Sequence, residues 1–181
     1  MTVEVVFETH SVSVDNERGV ATGWLPGTLS ARGRALAVEL GQRRRNDGLV
    51  AIFTSDLGRA VETVEVAFAG SGIPVFVDWR LRECDYGELN GAPKAVVHGE
   101  RGGYRRTPYP GGESWEQATG RAERVLDDLA TRWSGRRILV VGHLATRLAL
   151  EQRTNGADLG ELLERDLAWQ QGWDYRLDSS Q

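Results

Sequence analysis

Short apolar runs alternate along the chain with longer amphipathic stretches, and the runs break off at polar residues. Val3, Val5, Val6 and Phe7 make the first, which empties into Thr9-His10-Ser11 and the polar loop Ser13-Val14-Asp15-Asn16. Leu49 to Phe53 is wholly apolar and stops at Thr54-Ser55-Asp56, Ile73 to Val77 is a third run, and Arg137 to Val141 leads into Gly142-His143. Such runs are what strands buried on both faces require. Between them, Ser30 caps a predicted helix from about Ala31 to Arg45, whose Arg43-Arg44-Arg45 end reads as a solvated last turn complementing the helix dipole. A second helix runs from about Leu57 to Ala69, ended by Gly70 and Gly72, and the capping box Ser114-Trp115-Glu116-Gln117 opens a third that reaches about Trp133. Helices at about Ala145 to Arg153 and Leu159 to Glu164 follow, then a last strand at Trp173 to Leu177 and a frayed tail.

Strands separated by helices imply right-handed crossovers, so the expected fold class is α/β: a three-layer α/β/α sandwich with a mostly parallel central sheet. Ligands of such sheets sit in the crevice at the carboxyl ends of the strands. Gly19 to Thr28 reads as an irregular surface segment. Arg80 to Gly112 is so rich in glycine and proline that it reads as an irregular insertion roofing the crevice, with one short helix near Lys94 to His98.

Composition narrows the function classes. A chain of 181 residues, 40% of them hydrophobic, fits a single domain spanning residues 1–181. Most of the six tryptophans are expected in its core. A net charge of -4 and a pI near 5.5 exclude a general nucleic-acid binder and leave an anionic small molecule as a ligand. The single cysteine, Cys84, excludes a disulfide framework and a cysteine-rich zinc site. With no signal-like apolar core and no run long enough to span a membrane, the expectation is a cytoplasmic protein without a membrane partner. The sequence carries no signature of an oligomeric state.

His10 and His143 occupy equivalent positions at the ends of buried strands, and neighbouring parallel strands would bring both imidazoles to one crevice. Asp56 and Arg59 belong to a third strand end. Arg59 falls in the first turn of the following helix, where unpaired N–H groups suit an anion that a guanidinium grips with two bonds. Glu83 opens the glycine-rich insertion, and a carboxylate beside a bound anion is placed to donate a proton.

Taken in order, Thr9-His10-Ser11 with Asn16, Gly23-Trp24, Leu29-Ser30-Ala31-Arg32-Gly33, the stretch Ser55-Asp56-Leu57-Gly58-Arg59-Ala60-Val61-Glu62-Thr63, Leu81-Arg82-Glu83 with Gly87 and Gly91, Pro110-Gly111-Gly112-Glu113-Ser114 and Val141-Gly142-His143 form an ordered set. The set resembles the histidine phosphatase superfamily, the phosphoglycerate mutase-like proteins, over residues 3 to about 150. The resemblance implies that His10 is the nucleophile and is phosphorylated on a ring nitrogen. It further implies that Arg59 and His143 hold the phosphoryl oxygens, that Glu83 protonates the leaving oxygen and then activates water, and that Ser13 and Asn16 touch the phosphate. The activity it implies is a metal-independent phosphatase acting on small phosphate monoesters through a phosphohistidine, with no cofactor. A phosphate-binding pseudo-enzyme is the alternative, and a phosphomutase ranks lower because it must shield its phosphoenzyme from water.

The family carries an arginine before the nucleophile and a glycine after it, where this chain has Thr9 and Ser11. Leu144 replaces a small residue after the second histidine, which narrows the pocket. Arg18, on the loop of Asn16, is the first candidate to supply the missing cation, with Arg82, Lys94 and Arg147 behind it.

Overall fold

A computed structural model describes residues 2–165 and 169–178, so the expected frayed tail lies almost wholly outside the described residues. Its strands are β1 (Val3–Thr9), β2 (Ile52–Thr54), β3 (Val75–Val77), β4 (Arg137–Gly142) and β5 (Trp173–Leu177). The helices are α1 (Val14–Glu17), α2 (Ala31–Arg44), α3 (Gly58–Phe68), α4 (Lys94–Glu100), α5 (Trp115–Arg132), α6 (Leu144–Asn155) and α7 (Leu159–Glu164). The strands form one sheet in the order β3-β2-β4-β1-β5, parallel throughout except for β5, which runs antiparallel to β1.

Side-chain alternation along the strands builds the layers. Val5, Phe7, Phe53, Ile138 and Val140 pack with Val125, Leu126 and Leu129 of α5 and Ala149 and Leu150 of α6. Val6, Ile52, Leu139 and Val141 point the other way, onto Leu40 of α2 and Val64, Ala67 and Phe68 of α3. The α/β/α sandwich follows, since each central strand is apolar on both faces. No helix among the described residues is long and apolar enough to cross a membrane.

Three local expectations are corrected. The Ile73–Val77 run is not a strand buried on both faces: β3 is the sheet edge and all three of its residues are exposed. The arginine run is not merely solvated, because Arg44 pairs with the buried Glu8 and with Asp47, both at 2.9 Å, and Arg45 Nε donates to the Ala67 carbonyl at 2.8 Å. Of the six tryptophans only Trp115 is fully buried, while Trp79 and Trp169 are 51% and 64% exposed.

Residues 80–112 hold α4 and short 3-10 turns at Gly87–Leu89 and Arg101–Tyr104, and they enclose a second core of Cys84, Tyr86, Val97 and Tyr109 against Trp115 and Leu148. Glycine there marks close approach. A Cβ on Gly87, whose φ is +54°, would lie 2.0 Å from the Pro110 carbonyl oxygen, and one on Gly112 would lie 2.3 Å from that of Asp85. Two stretches of backbone are pressed together where no side chain fits.

Candidate active site

The pairing of β1 with β4 sets Thr9 opposite Gly142, so the next residues, His10 and His143, leave neighbouring strands at the same level. Their ring centroids are 5.0 Å apart. His10 Nδ1 lies 2.7 Å from the Ser11 carbonyl oxygen, which can only accept, so Nδ1 carries the proton and Nε2 carries the lone pair. Arg59 Nε donates to that Nε2 at 3.3 Å. Burial first, and the charge of Arg59 second, push the His10 pKa down to about 3, so the ring is neutral at neutral pH.

His143 is 1% exposed and immediately precedes α6 as its N-cap residue. Arg59 Nη2 lies 3.4 Å from its Nδ1, and since a guanidinium only donates, that nitrogen accepts. His143 Nε2–H then donates to Ser55 Oγ at 2.7 Å. Burial, followed by the charge of Arg59, holds its pKa well below the ordinary value.

Arg59 is the hub of the arrangement. It is 2% exposed, Nη2 donates to the Gly23 carbonyl at 2.9 Å, and Nη1 has no hydrogen-bond partner. No carboxylate among the described residues lies within ion-pair distance of it, and burial lowers its pKa, opposed by the charge of Glu83. Gly23 has φ +54°, and a Cβ there would collide with the Asn90 side chain at 1.8 Å; the chain turns sharply enough to offer Arg59 its carbonyl only because the residue is glycine. A buried cation with an unpartnered N–H is built for an anion.

Glu83 is clamped from both sides. Its carboxylate accepts from the backbone N–H groups of Cys84 (2.9 Å), Ala145 (3.1 Å) and Leu144 (3.2 Å), the last two in the first turn of α6. Its carbonyl accepts from Trp24 Nε1 and from Arg121, both at 2.6 Å. Arg121, 2% exposed, also donates to the carbonyls of Arg80 and Arg82 and pairs with Glu113 at 2.8 Å. Neither Arg121 nor the Ser55 contact was anticipated from the sequence. The available signal was an arginine beside Ala118, Ala122 and Val125 on the inner stripe of α5.

His10, Asn16, Arg59 and Glu83 line one cleft of about 270 Å³, and His143 reaches it through its contact with Arg59. Leu144, as expected, is on its wall. Ser13 is not: its hydroxyl is buried in the capping box of α1, accepting from Asn16 N–H at 3.0 Å. Asn16 Oδ1 is spent on the same box, which leaves the amide nitrogen as its remaining donor. Arg18 closes the single turn of α1 and is exposed away from the cleft, so it does not fill the place of the missing arginine. Arg82 is taken by Asp56 through two 2.6 Å bonds, which also removes Asp56 from the site. Lys94 and Arg147 do line the cleft, joined by His98 and Arg101. Ser11 donates its hydroxyl to the Gly33 carbonyl at 2.7 Å, and Thr9 accepts from Trp169. Among the described residues no group of three or more His, Cys, Asp or Glu is placed to hold a metal ion.

The chain belongs to the histidine phosphatase superfamily, branch 1, whose family model matches residues 7–171. A relative, "Probable phosphoglycerate mutase GpmB" of Salmonella typhi, is 30% identical over 149 residues, which are 78% of this chain and 69% of that protein. The solved structure of Bacillus stearothermophilus YhfR is similar with a TM-score of 0.82 and 27% identity, over 93% of this chain and 88% of that one. The mycobacterial glucosyl-3-phosphoglycerate phosphatase Rv2419c follows with a TM-score of 0.75 and 25% identity, over 90% of this chain and 84% of that one.

Proposed function

We propose that the protein is a metal-independent phosphatase of small phosphate monoesters that works through a phosphohistidine on His10. The observation that carries this reading is the neutral His10 ring, its Nε2 lone pair turned to a buried arginine that has no carboxylate partner. In the first step Nε2 attacks phosphorus, the ester P–O bond breaks, and Glu83, entering as the acid, gives its proton to the leaving alkoxide. In the second, the Glu83 carboxylate takes a proton from water as the water oxygen attacks phosphorus. The N–P bonding pair returns to His10 and inorganic phosphate leaves. Arg59 and the Asn16 amide bear the charge on the phosphoryl oxygens; His143, both of whose ring nitrogens are already engaged, orients Arg59 instead of touching the phosphate, and Lys94 and Arg147 supply positive potential at the cleft wall. The relatives carry both mutase and phosphatase names; hydrolysis is favoured because His10 is only half-buried, which leaves a water room to follow the leaving alcohol.

Exposure to a reactive aryl phosphate, followed by denaturation at neutral pH and intact-mass analysis, should reveal one phosphoryl adduct that mild acid removes and that His10→Ala lacks. An equal adduct in His10→Ala would take the nucleophile's role from His10. Phosphate binding with neither adduct nor turnover would make the protein an anion-binding member of the family instead.

A further inference from the structure

The register of β5 carries a tryptophan to the nucleophile. Phe7 pairs with Trp173, so the chain entering β5 runs back past the end of β1. Gly172, at φ +82°, passes so close to the buried Glu8 that a Cβ would stand 2.7 Å from its carboxylate. Trp169 thereby reaches the residue before His10, and its indole N–H donates to Thr9 Oγ1 at 3.1 Å. The ring is 64% exposed and lines the same cleft as His10. Trp173 packs against Phe7 with ring centroids 5.7 Å apart and bears the Arg147 guanidinium 4.1 Å above its ring.

Tryptophan is highly buried on average, and an exposed one in a concave polar site offers apolar area for a ligand to cover. An indole face takes another ring by offset stacking, and a planar guanidinium backed by an aromatic ring does the same. The cleft, at about 270 Å³, sits below the roughly 300–1,000 Å³ of sites for drug-sized ligands, which leaves room for a phosphoryl group and one ring system. Thr9 is part of the device, because its hydroxyl seats the indole N–H at the position where the family's arginine would stand.

We infer that Trp169, with Arg147 on its Trp173 backing, forms the leaving-group wall, and that the cleft accepts phosphate monoesters of aromatic alcohols. Turnover of such esters rests on the phosphatase reading; their recognition does not. The test therefore separates the two. Calorimetry with benzylphosphonate and propylphosphonate, which cannot be hydrolysed, reads the wall alone. Hydrolysis of benzyl phosphate and propyl phosphate, whose alkoxides are similarly basic, reads the chemistry.

Wild type should bind the benzyl compound about fivefold to tenfold more tightly than the propyl one. Trp169→Ala should bring that ratio to about unity, Trp169→Phe should keep most of it, and Thr9→Val should lower it by freeing the indole. A benzyl preference that persists in Trp169→Ala, or is absent from wild type, overturns the inference. A preference that is present and Trp169-dependent without hydrolysis of either ester supports the wall and overturns the phosphatase reading.

Discussion

A guanidinium that is 2% exposed and faces no carboxylate has given up its hydration for two ring nitrogens and one carbonyl, with Nη1 left over. That arrangement is poor for stability and good for binding an anion, because the desolvation is already complete when the ligand arrives. Arg59→Met should therefore remain within about 1 kcal/mol of wild-type stability in phosphate-free buffer, since an apolar chain of similar length replaces a poorly satisfied charge. Its kcat/KM should fall by about two to three decades. Thermal unfolding with and without inorganic phosphate checks the coupling. Wild type should gain stability from phosphate and the variant should not, and an equal gain in both would place the anion elsewhere.

At the level of elements, the site depends on how the segment around Glu83 is anchored to α5. Arg121 fixes three points of that segment through the carbonyls of Arg80, Arg82 and Glu83 while its charge is met by Glu113. Arg121→Met removes the cation and strands the carboxylate, so urea unfolding should show a loss of about 3–5 kcal/mol. Arg121→Lys should recover little, because a single ammonium cannot serve three carbonyls and a carboxylate at once. A loss below about 1 kcal/mol in Arg121→Met would mean that the second core, not the arginine, holds Glu83 in place. The sequence made α5 legible through its capping box and its apolar stripe, and it made β1, β2 and β4 legible because their apolar runs end at polar residues. It could not say what Arg121 grips, since the gripped segment has no periodicity. Nor could it separate the exposed edge β3 from a central strand, because a short apolar run looks the same in both places. The Thr9–Trp169 contact spans 160 residues and exists only through the antiparallel register of β5, which no local pattern encodes. Arg18 is close to Asn16 in sequence, yet it closes the turn of α1 as an exposed residue outside the lining of the cleft, which nearness along the chain does not encode.

For the whole molecule, placing two neutral imidazoles where the central strands end ties global stability to pH. Unfolding returns His10 and His143 to ordinary values near 6.5, whereas folded His10 titrates near 3 and His143 well below 6.5. Between those limits the unfolded chain binds more protons than the native one, so stability rises with pH across the window and is fully present above about 6.5. As pH falls from there, each histidine removes up to about 1.4 kcal/mol per pH unit until its folded form also protonates. Asp47, Asp56 and Asp78 have lowered folded values, and their contribution is lost only below the ordinary carboxylate range, so the histidines act first. Urea midpoints taken between about pH 7 and pH 5 should therefore decline, and His10→Gln should flatten the decline by removing one of the two buried rings. A wild-type midpoint that is flat over this interval, or an unchanged slope in His10→Gln, would show that the His10 ring takes up its proton in the native state as readily as in the unfolded one. The neutral, lone-pair-bearing Nε2 that the proposed phosphohistidine route requires would then be lost in mild acid.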